Sequence, residues 1–149
     1  MGKYAGAWDD AAASDGTTSA TVYAAGVVRR GKVFEILYGS HDTPADAPFK
    51  VEVARITALG TGTVLGAGNP APLDPADAAC TGLVAENHSV NPTMTLSLLE
   101  FAMNQRTTFR WSAAPGRELV YPATASNGFA LYVVEGPGVL AAGHIHFEE

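Results

Sequence analysis

The chain has 149 residues, of which 47% are hydrophobic and 16% charged, and its formal net charge is -6. Such a chain is too apolar to be disordered, and its length fits one domain with a substantial core. The acidic balance argues against a nucleic-acid partner, because a general binder of nucleic acid needs a basic face. The sequence shows neither a signal peptide nor a run of ~20 apolar residues, so we expect no membrane partner and synthesis in a cytoplasm.

Residues 1–18 are rich in Ala, Gly, Ser and Asp, with Tyr4 and Trp8 set among them. Neither the period of a strand nor that of a helix persists in this segment. We therefore interpret residues 1–18 as an N-terminal arm and residues 19–149 as a single domain. An arm with two aromatic side chains suits either anchoring on a neighbouring subunit or folding back on its own domain.

The domain begins with two apolar segments, residues 19–28 and 32–38, on either side of Arg29-Arg30-Gly31. This arrangement predicts a β-hairpin. Residues 41–48 contain two prolines, which deny the backbone donors that a strand ladder would use, so a loop is predicted there.

Further strands are indicated in the middle of the chain. Apolar and charged residues alternate over 49–53, and Ile56 falls out of that phase, which predicts a bulge or a bend near Arg55. Asp74, followed by proline, is typical of the start of a short helix. Residues 94–98 alternate as a strand does, and residues 99–103 continue in the other phase, so the strand must bulge, end or change sheet; a helix is the alternative.

The last forty or so residues carry the clearest pattern. Three segments alternate apolar and polar residues, at 108–112, 129–134 and 143–149, with Pro and Gly turns between them. The side chains expected to face the core are Phe109, Trp111, Ile145 and Phe147. Counted along the whole chain, about eight to ten strands predict an all-β fold, an antiparallel, jelly-roll-like β-sandwich with at most one short helix.

The best candidate metal ligands are His144, His146 and Glu148. On a strand these side chains share one face, and two imidazoles with a carboxylate can hold zinc or a similar ion. Cupin barrels use a His-x-His on a strand in this way, but with further ligands from later strands, so His41 or His88 would have to complete the site. The alternative is that both histidines are simply solvated, and we predict no metal.

No other segment carries a catalytic signature. Cys80 is the one cysteine, so an intrachain disulfide is excluded, and no base stands near it in sequence. The glycine-rich segment 60–66 matches neither phosphate-binding pattern, and the loop aspartates match no calcium loop. We therefore predict no catalytic residue, no cofactor and no enzymatic activity.

Residues 104–111 combine amides, two arginines and two aromatic side chains. Arginine and aromatic residues are enriched where subunits meet. Arg106 and Arg110 are therefore candidate interface residues, together with Tyr4 and Trp8 of the arm. A core strand with ordinary polar flanks is the alternative for 104–111.

Residues 104–111, Ala114-Pro115-Gly116, residues 118–128 and the closing His146-Phe147-Glu148-Glu149 also carry a resemblance. Over this last third, the chain resembles small β-sandwich proteins encoded among the structural genes of tailed bacteriophages, several of which decorate or cement the capsid. The resemblance implies a jelly-roll-like sandwich, often a trimer, seated where coat subunits meet. It implies no catalytic residues.

The sequence thus predicts a virion structural protein, specifically a capsid decoration protein that forms a homotrimer and binds the major capsid protein. Its expected location is the capsid surface, after synthesis in the cytoplasm of the bacterial host. One alternative is a receptor- or glycan-binding module of a phage fibre or tail. Another is a small-barrel metal-dependent enzyme that uses His144, His146 and Glu148.

Overall fold

A computed structural model describes residues 1–27, 29–66 and 68–149, and this part of the chain forms twelve β-strands and no helix. The strands are β1 (Lys3–Ser14), β2 (Thr17–Ala24), β3 (Gly31–His41), β4 (Pro48–Ala58), β5 (Thr61–Val64), β6 (Ala71–Pro72), β7 (Gly82–Val90), β8 (Thr93–Asn104), β9 (Thr108–Ser112), β10 (Leu119–Tyr121), β11 (Gly128–Glu135) and β12 (Pro137–Glu148). The predicted antiparallel β-sandwich is confirmed. The strands outnumber the eight to ten expected because the segment interpreted as an arm contains β1, and because β6 and β10 are only two and three residues long.

The strands form two antiparallel sheets. Sheet A has the order β10-β3-β12-β1-β6, with β9 also paired to β3, and sheet B has the order β5-β7-β2-β11-β4-β8. Because β2 and β3 belong to different sheets, the hairpin predicted around residues 29–31 is wrong. A turn between two apolar strands gives the same sequence pattern whether the chain doubles back within a sheet or crosses to the other one. Val28, in the predicted hairpin, lies outside the described residues.

The core lies between the inner faces of the two sheets. Tyr38 is at its centre, with ring centroids 5.3 Å from Trp8, 6.0 Å from Phe49 and 6.1 Å from Phe101. The Tyr38 hydroxyl is 2.8 Å from the Ser19 hydroxyl, so the buried polar end of the ring has a partner. The side chains predicted to face the core do so. Ile145 and Phe147 are buried, and Phe109 and Trp111 pack half-buried against the core. The alternating residues of β4, Phe49, Val51 and Val53, are buried as well.

The N-terminal residues are part of the sandwich and do not form a separate arm. β1 pairs with β12 from Lys3 opposite Glu148 to Ser14 opposite Pro137. The predicted arm is therefore corrected to a strand of sheet A. Its periodicity escapes a reading of the sequence because the register shifts between Trp8 and Ala11, next to Asp10 with φ 50°, and the inward phase changes there.

The short helix predicted at Asp74 is a turn. The Asp74 carboxylate accepts a hydrogen bond from the Ala76 N–H at 2.9 Å, and the Asp74 carbonyl accepts one from the Asp77 N–H at 2.9 Å. The capping chemistry is thus present, but no further turn of helix follows. Residues 93–104 are one strand, β8, with three register irregularities against β4, so the predicted bulge is confirmed and the helical alternative is wrong.

Sheet B curls so that its two ends meet. Two-residue connections join β4 to β5 and β7 to β8. Ala58 at the end of β4 lies opposite Thr93 of β8, and Thr61 at the start of β5 lies opposite Val90 of β7. A side chain at Gly60 would meet the Val90 carbonyl oxygen, so only glycine permits this close approach. A second, smaller core of Tyr23, Ile56, Ala85 and Ala130 fills the curl. The two ends meet only around these connections, and along the rest of its length β8 pairs with β4 alone and is an edge of sheet B.

Candidate functional site

The two aromatic residues proposed as anchors lie inside their own domain. Tyr4 and Trp8 are both buried in the main core, and the Tyr4 hydroxyl donates a hydrogen bond to the Ala78 carbonyl at 3.0 Å. Neither side chain is available to a partner in this fold. The interface prediction for Tyr4 and Trp8 is corrected for that reason: apolar side chains that alternate on a paired strand face the core.

The two arginines proposed for an interface are exposed. Arg106 lies in the turn between β8 and β9, and its backbone N–H donates a hydrogen bond to the Asn104 side chain at 2.9 Å. Arg110 lies on β9, where its Nη2 donates to Glu35 Oε2 at 2.7 Å. Exposure keeps both available for contacts, but Arg110 already belongs to a cluster on its own sheet.

That cluster, the Glu35 cluster, consists of Glu35, His144, His146 and Arg110 on the outer face of sheet A. His144 and His146 share that face of β12, as predicted, but the carboxylate beside them is not Glu148. Glu148 is held by Lys32, with 2.9 Å between Oε1 and Nζ. Glu35 reaches the histidines instead because β3 is the neighbour of β12, with Glu35 directly opposite His146.

The ligand-type atoms of the Glu35 cluster converge on one carboxylate oxygen. His144 Nε2 lies 2.9 Å from Glu35 Oε1 and His146 Nδ1 lies 3.6 Å from the same atom. The two imidazole rings stack with centroids 4.1 Å apart and an angle of 13° between their planes. The three possible ligand atoms, one each from Glu35, His144 and His146, lie within 4.8 Å of one another.

The electrostatics of the cluster follow from this geometry. Hydrogen bonds from Arg110 and then His144 hold the pKa of the Glu35 carboxyl below its usual value, so Glu35 is ionised at neutral pH. Partial burial, followed by the neighbouring His144, lowers the pKa of His146 from its usual value of 6.5. His146 is therefore mainly neutral near pH 7, the form in which an imidazole binds a metal.

Neither of the other two histidines joins the cluster. His41, at the end of β3, pairs with Asp10, with 3.1 Å between Nε2 and Oδ1. His88 lies on β7 in sheet B, where its Nε2 is 3.1 Å from the Thr21 hydroxyl. Neither completes the metal site that the sequence suggested: His41 lies opposite Leu140 near the start of β12 and pairs with Asp10, and His88 lies in the other sheet.

The surface depressions are shallow. One of about 340 Å³ lies beside Trp8, Gly143 and His144, and one of about 260 Å³ lies beside Cys80. Burial raises the pKa of the Cys80 thiol to about 11, so the sulfur is protonated at neutral pH and is a poor nucleophile. The larger depression contains Ser40 and His144, but the Ser40 hydroxyl donates to the Gln105 carbonyl and His144 pairs with Glu35.

The free edge of sheet B, strand β8, exposes apolar side chains. β8 pairs only with β4 on one side, and its other side carries unpaired backbone groups. Leu96 is 62% exposed, and Leu98 and Val90, just before β8, are exposed as well. A long edge strand with apolar side chains is a template for pairing with another chain. Sequence reasoning recognised the strand but not that it forms an edge, since strand order is a tertiary property.

Comparison of the chain with protein families, with curated proteins and with solved structures found no match. Among the residues that the structure describes, no helix has the length and apolar character of a membrane span.

Proposed function

We propose that the protein is a structural protein of a bacteriophage particle that decorates the capsid and binds the major capsid protein. The observation that carries the proposal is the free edge strand β8, with Leu96 and Leu98 exposed along it. Such an edge binds by adding a strand from a partner, which requires no cofactor and no concave site. The likeness of the last third of the chain to phage decoration proteins supports the same function.

The charge distribution is compatible with this proposal. The net charge of -6 favours solubility of the protein when β8 is not paired with a partner. β8 carries one ionisable side chain, Glu100, which pairs with Lys50 at 2.8 Å across the strand pair. The free side of β8 is therefore suited to backbone pairing and apolar contact, and a capsid that gains such contacts is stabilised by mass action.

The homotrimer belongs to the same proposal. Three copies around a symmetric position of a capsid would present three edges to neighbouring coat subunits, and simultaneous contacts raise the overall affinity. Mass photometry of the purified protein, free and released from particles, measures the oligomer directly. A particle-bound trimer is expected.

The test uses capsid shells that lack the protein, prepared from the phage that encodes it. Purified protein is mixed with the shells and sedimented, and electron microscopy locates the added density. The Leu96→Lys variant places a charge on the edge and should bind at least ~10-fold more weakly. Leu73→Lys is the matched control, because Leu73 is 49% exposed but lies outside β8.

Failure of the wild-type protein to bind shells would overturn the capsid assignment. Equal binding by Leu96→Lys would overturn the role of β8 while leaving the capsid assignment in place. Binding to host-cell envelope material in place of shells would point to the receptor- or glycan-binding alternative.

A further inference from the structure

We propose that Glu35, His144 and His146 form a binding site for a divalent transition metal ion, with zinc as the best fit, on the outer face of sheet A. The site is independent of capsid binding. It differs from the trio suggested by sequence, since Glu148 is replaced by a carboxylate from a different strand.

The donor set and its spacing match a transition metal. Two imidazole nitrogens and one carboxylate oxygen are typical protein ligands for zinc, which binds them at about 2.0–2.1 Å. Ligand atoms around a tetrahedral ion are then separated by roughly 3.3 Å. The separations from Glu35 Oε1, 2.9 Å to His144 Nε2 and 3.6 Å to His146 Nδ1, bracket that value. The two imidazole rings are stacked and nearly parallel, so they would rotate out of that arrangement to direct both nitrogens at one ion.

The ligands are held in place by their surroundings. Side-chain exposure is 12% for Glu35, 24% for His144 and 22% for His146, so neither imidazole nor the carboxylate moves as freely as a surface group. Arg110 holds the second oxygen of Glu35 and orients the first toward the histidines, as partners behind metal ligands commonly do. The positive charge of Arg110 reduces affinity, so we expect moderate rather than very tight binding.

The site has an open side. On β1, Ala5 lies opposite His146 and Ala7 opposite His144, and these short side chains leave space above the imidazoles. Three protein ligands and an accessible fourth position would allow the ion to take a water molecule or an external ligand. The ion would also join β3 to β12, so its binding should raise the thermal stability of the sandwich.

The test begins with full-length protein freed of metal by a chelator. Titration with Zn²⁺ in a calorimeter should show one ion per chain, and Co²⁺ should give the visible absorption of a tetrahedral site. Proton NMR with Zn²⁺ should shift the imidazole C–H signals of two of the four histidines. Glu35→Gln and His146→Ala should each weaken Zn²⁺ binding at least ~10-fold.

Two variants serve as matched controls. Glu148→Gln removes the carboxylate that shares the strand with the histidines, and His41→Ala removes a histidine that pairs with Asp10. Both should bind Zn²⁺ as the wild type does. Circular dichroism of each metal-free variant checks its fold, and if His146→Ala does not fold, the near-isosteric Glu35→Gln decides the outcome.

Absence of stoichiometric binding by the wild type would overturn the proposal. Undiminished binding by Glu35→Gln would also overturn it, as would a loss of binding in His41→Ala. In those cases the cluster is an ion-pair network that links β3, β9 and β12 without a metal.

Discussion

The outer face of sheet A and the free edge of sheet B are opposite kinds of surface on one sandwich. On sheet A, Glu35, His144 and Arg110 satisfy one another's hydrogen bonds, so the surface is complete without a partner. On sheet B, β8 leaves backbone groups and Leu96 exposed, so that surface is incomplete. It follows that changes in the polar cluster should alter the stability of its own chain, whereas changes at the unpaired edge should alter the binding of another chain.

The largest expected effect comes from the core beneath the Glu35 cluster. Phe147 lies on β12 next to His146, but it points inward and is fully buried. We expect Phe147→Ala to lower the free energy of unfolding by about 3–5 kcal/mol through lost burial and the cavity that remains. Urea unfolding followed by tryptophan fluorescence measures this, and a loss similar to that of His146→Ala would contradict the distinction between the two faces of β12.

A smaller effect is expected when the Glu35 cluster loses its carboxylate. Glu35→Ala leaves Arg110 and His144 without their shared partner, and we expect a loss of about 1–3 kcal/mol in metal-free protein. Urea unfolding in the presence of a chelator measures it. The exposed ion pair of Lys50 with Glu100 provides the comparison, since Glu100→Ala should cost less stability than Glu35→Ala.

The stability of the fold should depend on pH through His88, which lies on β7 in sheet B. Burial lowers the pKa of His88, which is 9% exposed, below its usual value of 6.5. As the pH falls through 6.5, the unfolded chain binds a proton that folded His88 still rejects, so stability decreases by up to about 1.4 kcal/mol per pH unit until the folded pKa is reached.

Thermal unfolding of wild type and His88→Gln between pH 7.5 and pH 5 tests this expectation. The variant should show a shallower decline. His146 contributes in the same direction, because its pKa is also lowered, so His146→Gln serves as the parallel variant. Identical pH profiles for wild type and His88→Gln would show that burial does not hinder protonation of the His88 imidazole in the folded chain.

The smallest effect on folding is expected at the β8 edge. Leu96→Lys should change the free energy of unfolding by no more than about 0.5 kcal/mol, because the side chain is 62% exposed. Light scattering at high protein concentration should show less self-association than in the wild type. A large loss of stability would mean that Leu96 packs within its own chain.

The sequence was most informative where alternation persisted in one phase. Residues 108–112 were predicted as a strand and coincide with β9, and the inward directions of Ile145 and Phe147 were correct. Where a bulge changes the phase, as between Trp8 and Ala11, the pattern does not identify a strand, and the predicted arm is wrong. For the metal candidates, His144 and His146 were found by their spacing, but Glu35 carries no local signal that relates it to them.

Alternation and turn residues act over short distances, so the amino-acid sequence predicts an antiparallel sandwich and the inward side chains of its regular strands. The positions of β3 beside β12 and of β8 at an edge are seen only in the folded chain. The first placement brings Glu35, 109 residues before His144, within 2.9 Å of it, and the second exposes Leu96. Strand order follows from the packing of all strands together, so no single segment of the sequence encodes it.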